Sequence, residues 1–247
     1  MLTDFHSHIL PGMDDGSRDV ETSLKMLRRI AQQGIGRVVA TPHFYARREQ
    51  PERFLERRSY TEQKLRQAMP GQEGLPELLI GAEVHFFRGI AESEWLSHLT
   101  IRGTNSILVE MPPAPWPDAL CRELADIWEK RGITPIVAHI DRYIGPFRTY
   151  GIPRLLQELP VLVQANAEFF LERSTARMAL NMLKADQIQL LGSDCHNLTD
   201  RSPNLGDAVS RIEKKLGHGP IAQIQNYETL VLSPSKEERS DFYEEIY

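Results

Sequence analysis

Ile136-Val137-Ala138-His139 is an apolar run without polar–apolar alternation that ends on an imidazole, and Val38-Val39-Ala40-Thr41-Pro42-His43 repeats the arrangement earlier in the chain. Strands that read as continuous apolar runs are expected where both sheet faces are covered, as in a parallel sheet with crossover helices. Working outward, β-like runs alternate with helical patterns almost from end to end. Strands are predicted at residues 2–5, 37–41, 78–83, 106–110, 133–139, 161–166 and 188–193. Ser17 is placed to cap a helix with the apolar face Val20, Leu24, Leu27 and Ala31 and with Gly34 as its stop. Further helices are predicted at 52–69, 118–131, 153–159 and 175–184, and 205–216 closes the series. Seven strands at this spacing fit one closed barrel better than two domains, so the α/β chain is read as a single domain over 1–247, with the tail after about 217 unassigned. The segment Met111–Pro117, with four prolines, reads as a rigid surface loop.

Composition narrows the function. The 247 residues are 41% hydrophobic and 26% charged, which is globular and not disordered. A formal net charge of −5 gives no footprint for nucleic acid. No apolar run reaches the roughly 18 residues of a membrane span, and Met1-Leu2-Thr3-Asp4 is no export signal. Two cysteines cannot build a disulfide framework, and the expected location is cytoplasmic.

Nearly every predicted strand carries a metal-ligand type at or just beyond its C-terminal end. The first gives His6 and His8, with Asp14 in the loop after it; His43, Glu83, Glu110 and His139 follow, then Asp194 and His196. In a barrel of parallel strands these ends share one mouth. Any one of them alone reads more simply as a hydrogen-bonded or ion-paired structural residue. The pairs His6-x-His8 and Asp194-x-His196 say more, because alternate strand residues share a face. Together they predict a site for borderline-hard divalent cations. His85, two residues after Glu83, is left open; His98 and His218 read as surface or cap residues.

His6-Ser7-His8-Ile9-Leu10-Pro11-Gly12-Met13-Asp14-Asp15-Gly16, Thr41-Pro42-His43-Phe44, Gly81-Ala82-Glu83, Ile107–Met111, His139–Tyr143 and Ser193–Asn197 together resemble the polymerase-and-histidinol-phosphatase (PHP) superfamily. Within it, the closest resemblance is to the manganese-dependent protein-tyrosine phosphatases of bacterial capsule and exopolysaccharide systems. The resemblance implies a distorted (β/α)₇ TIM-like barrel holding three divalent ions, Mn²⁺ foremost, with Fe²⁺, Zn²⁺, Co²⁺ and Mg²⁺ as alternatives. Carried over by motif, one ion takes His6, His8, Glu83 and Asp194, and a second takes Asp14, His43 and His196. The third takes Glu110 and His139, with Glu83 bridging. Arg142 and Arg201 match positions near the phosphate. Here Ile140 and Asp141 replace the Pro and Glu usual after the histidine, and Cys195 stands where Ala is common. The implied partner is a phosphotyrosine protein, the tail of a bacterial tyrosine autokinase.

The chemistry expected of such a site is in-line attack by hydroxide on a phosphotyrosyl ester, with no phosphoenzyme. A bound cation moves the pKa of water from about 15.7 toward about 7, and the phenol leaving group, with a pKa of about 10, needs little protonation. Cys195 and Arg201 also satisfy the Cys-x₅-Arg spacing of thiol phosphatases, but Asp194 and Asp200 oppose a thiolate there. Arg47, Arg48, Arg53, Arg57 and Arg58 read either as a solvated helix face or as an attractor of an acidic phosphopeptide. Phe44, Tyr45 and Phe86 read as core, or as a frame for an aromatic ring, and Tyr243–Tyr247 as a solvated tail. Two alternatives stand beside the phosphotyrosine reading: a small-molecule phosphatase of the histidinol-phosphate kind, and a metal-bound docking scaffold without catalysis.

Overall fold

The computed structural model describes residues 1–71, 73–113, 116–144 and 151–233; the tail tyrosines and part of the proline-rich segment lie outside them. In chain order the elements are β1 (Leu2–Ser7), α1 (Val20–Gln32), β2 (Ile35–Ala40), β3 (His43–Phe44), α2 (Pro51–Ala68), β4 (Glu77–Ile80), β5 (Glu83–His85), β6 (Ser106–Glu110), α3 (Asp118–Arg131), β7 (Thr134–Val137), α4 (Ile152–Gln157), β8 (Leu162–Asn166), α5 (Ala167–Leu171), α6 (Ala176–Lys184), β9 (Leu190–Gly192), α7 (Leu205–Leu216) and α8 (Gly219–Val231). Every strand pairing among the described residues is parallel.

Two staves of the barrel are each divided. The second predicted strand is β2, and its stave resumes beyond Thr41-Pro42 as β3; the third predicted strand is split by Gly81-Ala82 into β4 and β5. Pro42 has no N–H to give a ladder. The lower halves therefore form a sheet β1-β2-β4, and the upper halves join β3-β5-β6-β7-β8-β9. Single hydrogen bonds stitch the breaks: Thr41 N donates to Ser7 O (2.8 Å), Gly81 N to Ala40 O (2.8 Å) and Glu83 N to Pro42 O (3.0 Å). The ring closes between its first and last strands, where His8 N donates to Cys195 O (2.9 Å) and Asp194 N to His6 O (2.8 Å). The result is a seven-stave parallel barrel bent at two staves, the distorted (β/α)₇ form expected.

Strand alternation sorts the apolar residues into two cores. Phe5, Val39, Leu108, Ile136, Ala138 and Leu190 fill the barrel interior, and Val231 of α8 joins them. Val38, Ala40, Ile107, Val109, Val137 and Leu191 pack outward under the helices. Helix α8 lies in the segment the sequence left unassigned. Its Glu228 accepts from the backbone N (3.0 Å) and hydroxyl (3.1 Å) of Thr3, fastening that helix to β1.

Two local readings change. The cap of α1 is Asp19, whose carboxylate accepts from Thr22 N (2.8 Å), while the Ser17 hydroxyl is buried against Asp19 O and Ser23. The buried face is accordingly Ser23, Met26, Leu27 and Ile30, with Val20, Leu24 and Ala31 half-buried at its edges. Arg58 is no part of an exposed basic face: it is buried and donates to Gly81 O (2.9 Å) and His98 O (2.8 Å).

Candidate metal centre

Above the apolar interior the inward positions turn polar. Two residues beyond Leu108 stands Glu110, and two beyond Leu162 stands Gln164, fully buried. The β1–β2 register slips between Asp4 and Ser7, a bulge that re-aims the end of β1. His6 and His8 then face each other with Nε2 atoms 3.2 Å apart. Two glycines make room: a Cβ on Gly192 would lie 2.6 Å from His6 Cβ, and one on Gly16 would lie 2.4 Å from His8 Cβ. His139 and Asp194 reach the mouth from left-handed backbone, φ 32° and 52°, a conformation that costs a non-glycine residue energy and concentrates at functional sites.

Four donors converge at the centre. His6 Nε2 lies 3.3 Å from Glu83 Oε2 and 3.6 Å from Asp194 Oδ1; His8 Nε2 lies 3.4 and 3.5 Å from the same two atoms. Donors about 2.1 Å from a tetrahedral ion are about 3.4 Å from one another, so these separations fit a cation better than direct hydrogen bonds. The outer nitrogens of three histidines are anchored to acceptors: His8 Nδ1 to Asp14 (2.7 Å), His6 Nδ1 to Gln164 Oε1 (3.3 Å) and His196 Nδ1 to Asp194 O (2.9 Å). That is how ligating histidines are oriented. His196 Nε2 is buried without a hydrogen-bond partner among the described residues, as an atom awaiting a metal would be, and Glu83 Oε2 lies 2.8 Å from His43 Nδ1.

A second group comprises His8, Asp15, His43 and His196. Asp15 Oδ1 lies 3.4 Å from His43 Nε2 and 3.5 Å from His196 Nε2. Asp14, the carboxylate the resemblance assigned here, sits behind His8 and accepts from His43 N (3.0 Å) and Gly16 N (3.0 Å). A third group comprises His43, Glu83 and Glu110. His139 Nε2 stands beside it, 2.8 Å from Glu83 Oε1 and 3.8 Å from Glu110 Oε1. All nine sequence-assigned positions gather at the mouth. Sequence reasoning missed Asp15 and Gln164; the latter was signalled only by one amide inside an apolar strand. His85, left open, holds Glu110 through Nδ1 (3.0 Å).

The charges are mutually dependent. Burial works against ionised Glu83 and Asp194, yet the surrounding histidines hold both well below the usual carboxylate range. Burial likewise opposes protonation of His6 and His8, but Glu83 and Asp194 around the first, and Asp14 on the second, raise them. His196 is pushed down to about 4 by burial and the neighbouring His8, and so is a neutral donor. Arg142 and Arg201 brace opposite oxygens of Asp194 (2.5 and 2.8 Å), with their side chains 40% and 36% exposed at the mouth. The Cys195 thiol is fully buried, and burial together with Asp4 and Asp194 pushes it far up, opposite to a nucleophile's need.

The sequence pattern of the family described as capsular polysaccharide synthesis, CpsB/CapC, matches residues 2–231. The chain belongs to the CpsB/CapC family. Among its relatives, the tyrosine-protein phosphatase YwqE of Bacillus subtilis (strain 168) is 29% identical over 93% of this chain and 91% of its own. The tyrosine-protein phosphatase CpsB of Streptococcus pneumoniae is 29% identical over 87% and 91%. A chain from the crystal structures of those two proteins, called unique metal-dependent tyrosine phosphatases, superposes with a TM-score of 0.78 at 23% identity, covering 95% of this chain and all of that one. Histidinol phosphate phosphatase from Lactococcus lactis, solved with zinc, L-histidinol and phosphate, gives a TM-score of 0.54 at 14% identity, over 87% of this chain and 94% of its own. This CpsB/CapC chain thus shares their barrel, and no helix among the described residues is long and apolar enough to cross a membrane.

Proposed function

We propose that this CpsB/CapC protein is a cytoplasmic, one-domain, metal-dependent protein-tyrosine phosphatase acting on the tail of a bacterial tyrosine autokinase in capsule or exopolysaccharide synthesis. The observation that carries the reading is the set of imidazole and carboxylate donors at metal-type spacing, backed by anchored outer nitrogens. Three divalent ions, Mn²⁺ foremost, would be held there: one by His6, His8, Glu83 and Asp194; one by Asp15, His43 and His196; one by Glu110 and His139 with Glu83. When bound, they lower the pKa of water and offset charge on the phosphoryl oxygens.

The chain's own residues do the rest. Asp14, Gln164 and the Asp194 carbonyl take the outer nitrogens of His8, His6 and His196 and aim the inner ones at the centre, where a bound ion would replace the inner proton of His6 and His8. Arg142 and Arg201, half-exposed above Asp194, take the non-bridging phosphoryl oxygens as negative charge builds. The phenolate leaves without a dedicated acid, and no side chain is phosphorylated.

Phosphate release from a phosphotyrosyl peptide tests the reading. Chelation should abolish it, added Mn²⁺ should restore it, and Cys195→Ser should change it less than about twofold. No release with any divalent metal, or release only from histidinol phosphate, overturns it.

A further inference from the structure

The arginines after β3 divide between two recesses. Arg48, Arg53 and Arg57 line a groove of about 570 Å³ whose inner end is Asp15 and His43 and whose wall is Tyr45. Arg47, Arg48 and Arg88 border an adjoining recess of about 450 Å³ with Phe86 and Phe87. Tyr45 belongs to both and stands at the centre's lip, its ring centroid 5.4 Å from that of His43 and 5.3 Å from that of His85. The Arg48 guanidinium lies over that ring at 4.7 Å. Arg53 and Arg57 are one turn apart on α2, so they present one face.

The groove's carboxylates are unevenly placed, with Asp14 and Asp15 at the inner, metal-centre end and Glu49 alone among the arginines. Glu49, the acidic residue on the arginine side of the groove, is taken by Arg57 at 2.9 Å, and Arg53 stands off at 3.8 Å with its side chain 78% exposed. The guanidiniums of Arg48 and Arg53 therefore remain available to solvent or ligand, on a chain whose net charge is −5. Screening over about 8 Å at physiological ionic strength confines their influence to the groove itself.

We infer that this groove reads carboxylates flanking the phosphotyrosine, making the enzyme selective for acidic peptide segments. The inference rests on the phosphatase reading above. With the phosphate at the metal centre, the groove opening from Asp15 and His43 receives the neighbouring residues of an extended peptide. Asp or Glu there meets Arg48 and Arg53 as exposed ion pairs, each modest alone and additive along the segment. Like charges oppose a basic segment at the same place.

The test uses the full chain loaded with Mn²⁺ and two phosphotyrosyl peptides that differ only in Asp/Glu against Asn/Gln around the tyrosine. Wild type should favour the acidic peptide roughly fivefold in kcat/KM at low salt, and 0.5 M NaCl should erase most of the advantage. In a variant carrying Arg48→Gln and Arg53→Gln the ratio between the two peptides should fall to within about twofold of unity. Because that ratio is taken within each protein, a general loss of activity does not mimic it. Equal turnover of both peptides by wild type, a ratio unchanged in the variant, or a preference for the neutral peptide overturns the inference and leaves the phosphatase reading standing. Turnover of neither peptide overturns both.

Discussion

Asp14 and Asp15 are adjacent and chemically identical, yet they have opposite surroundings. Asp14 is spent on His8 Nδ1 and two backbone N–H groups, and these bonds together with protonated His8 outweigh its burial and hold its pKa far down. Asp15 is exposed and directs an oxygen at His43 and His196. Metal retained after dialysis separates the two roles. Asp15→Asn removes a donor, so divalent-metal affinity should drop by at least about tenfold. Gln164→Leu keeps every donor but frees His6 Nδ1 and orphans His139 N, and should cost about 10- to 100-fold. Wild-type metal content in Asp15→Asn would remove that carboxylate from the site. Spacing alone could not have chosen between the two aspartates, because the choice is made by the turn that puts Gly16 flat against His8.

The staves leave little slack where they end. Gly192 ends β9 with no space beside His6, so a methyl group there would meet His6 Cβ at 2.6 Å and Gln164 Nε2 at 2.8 Å. Gly192→Ala should destabilise by about 1–3 kcal/mol through overpacking, read as a melting temperature several degrees lower with metal affinity falling alongside; an unchanged melting temperature would mean the shelf under His6 can retreat. The strands themselves were legible: unalternating runs such as Val38–Ala40 and Ile136–Ala138 belong to staves covered on both sides. The breaks at Thr41-Pro42 and Gly81-Ala82 were not, since nothing in an apolar run tells which of two sheets each half will join. The α1 cap is ambiguous in sequence because Ser17 and Asp19 are both good caps and only burial of the serine decides. Helix α8 shows no single apolar stripe in sequence because its apolar residues face two ways, Ile221 and Ile224 into the outer core and Val231 into the barrel.

At the scale of the whole molecule, the Glu228–Thr3 contact makes stability respond to pH. Burial raises the Glu228 carboxyl to about 7, against the smaller opposing pull of the Thr3 bonds and Arg37. Below about 4.5 folded and unfolded chains both hold the proton. Between there and about 7 only the folded chain does, so stability falls as pH rises through that window and the loss is complete above it. Glu228→Gln should therefore raise stability at pH 8 by up to about 3 kcal/mol, flatten the pH dependence of denaturant unfolding above pH 5, and leave stability near pH 4.5 almost as it was. A variant no more stable than wild type at pH 8 would show that Glu228 ionises at its ordinary value. The closure of the ring between β1 and β9 also bears on how the protein is made. Asp194 and His196 leave the ribosome nearly two hundred residues after His6 and His8, and β1 has only β2 to lean on meanwhile. With the proposed ligands, a nascent chain holds half a chelate for most of its synthesis, and tight retention of a divalent ion would mark the moment at which the last stave has docked.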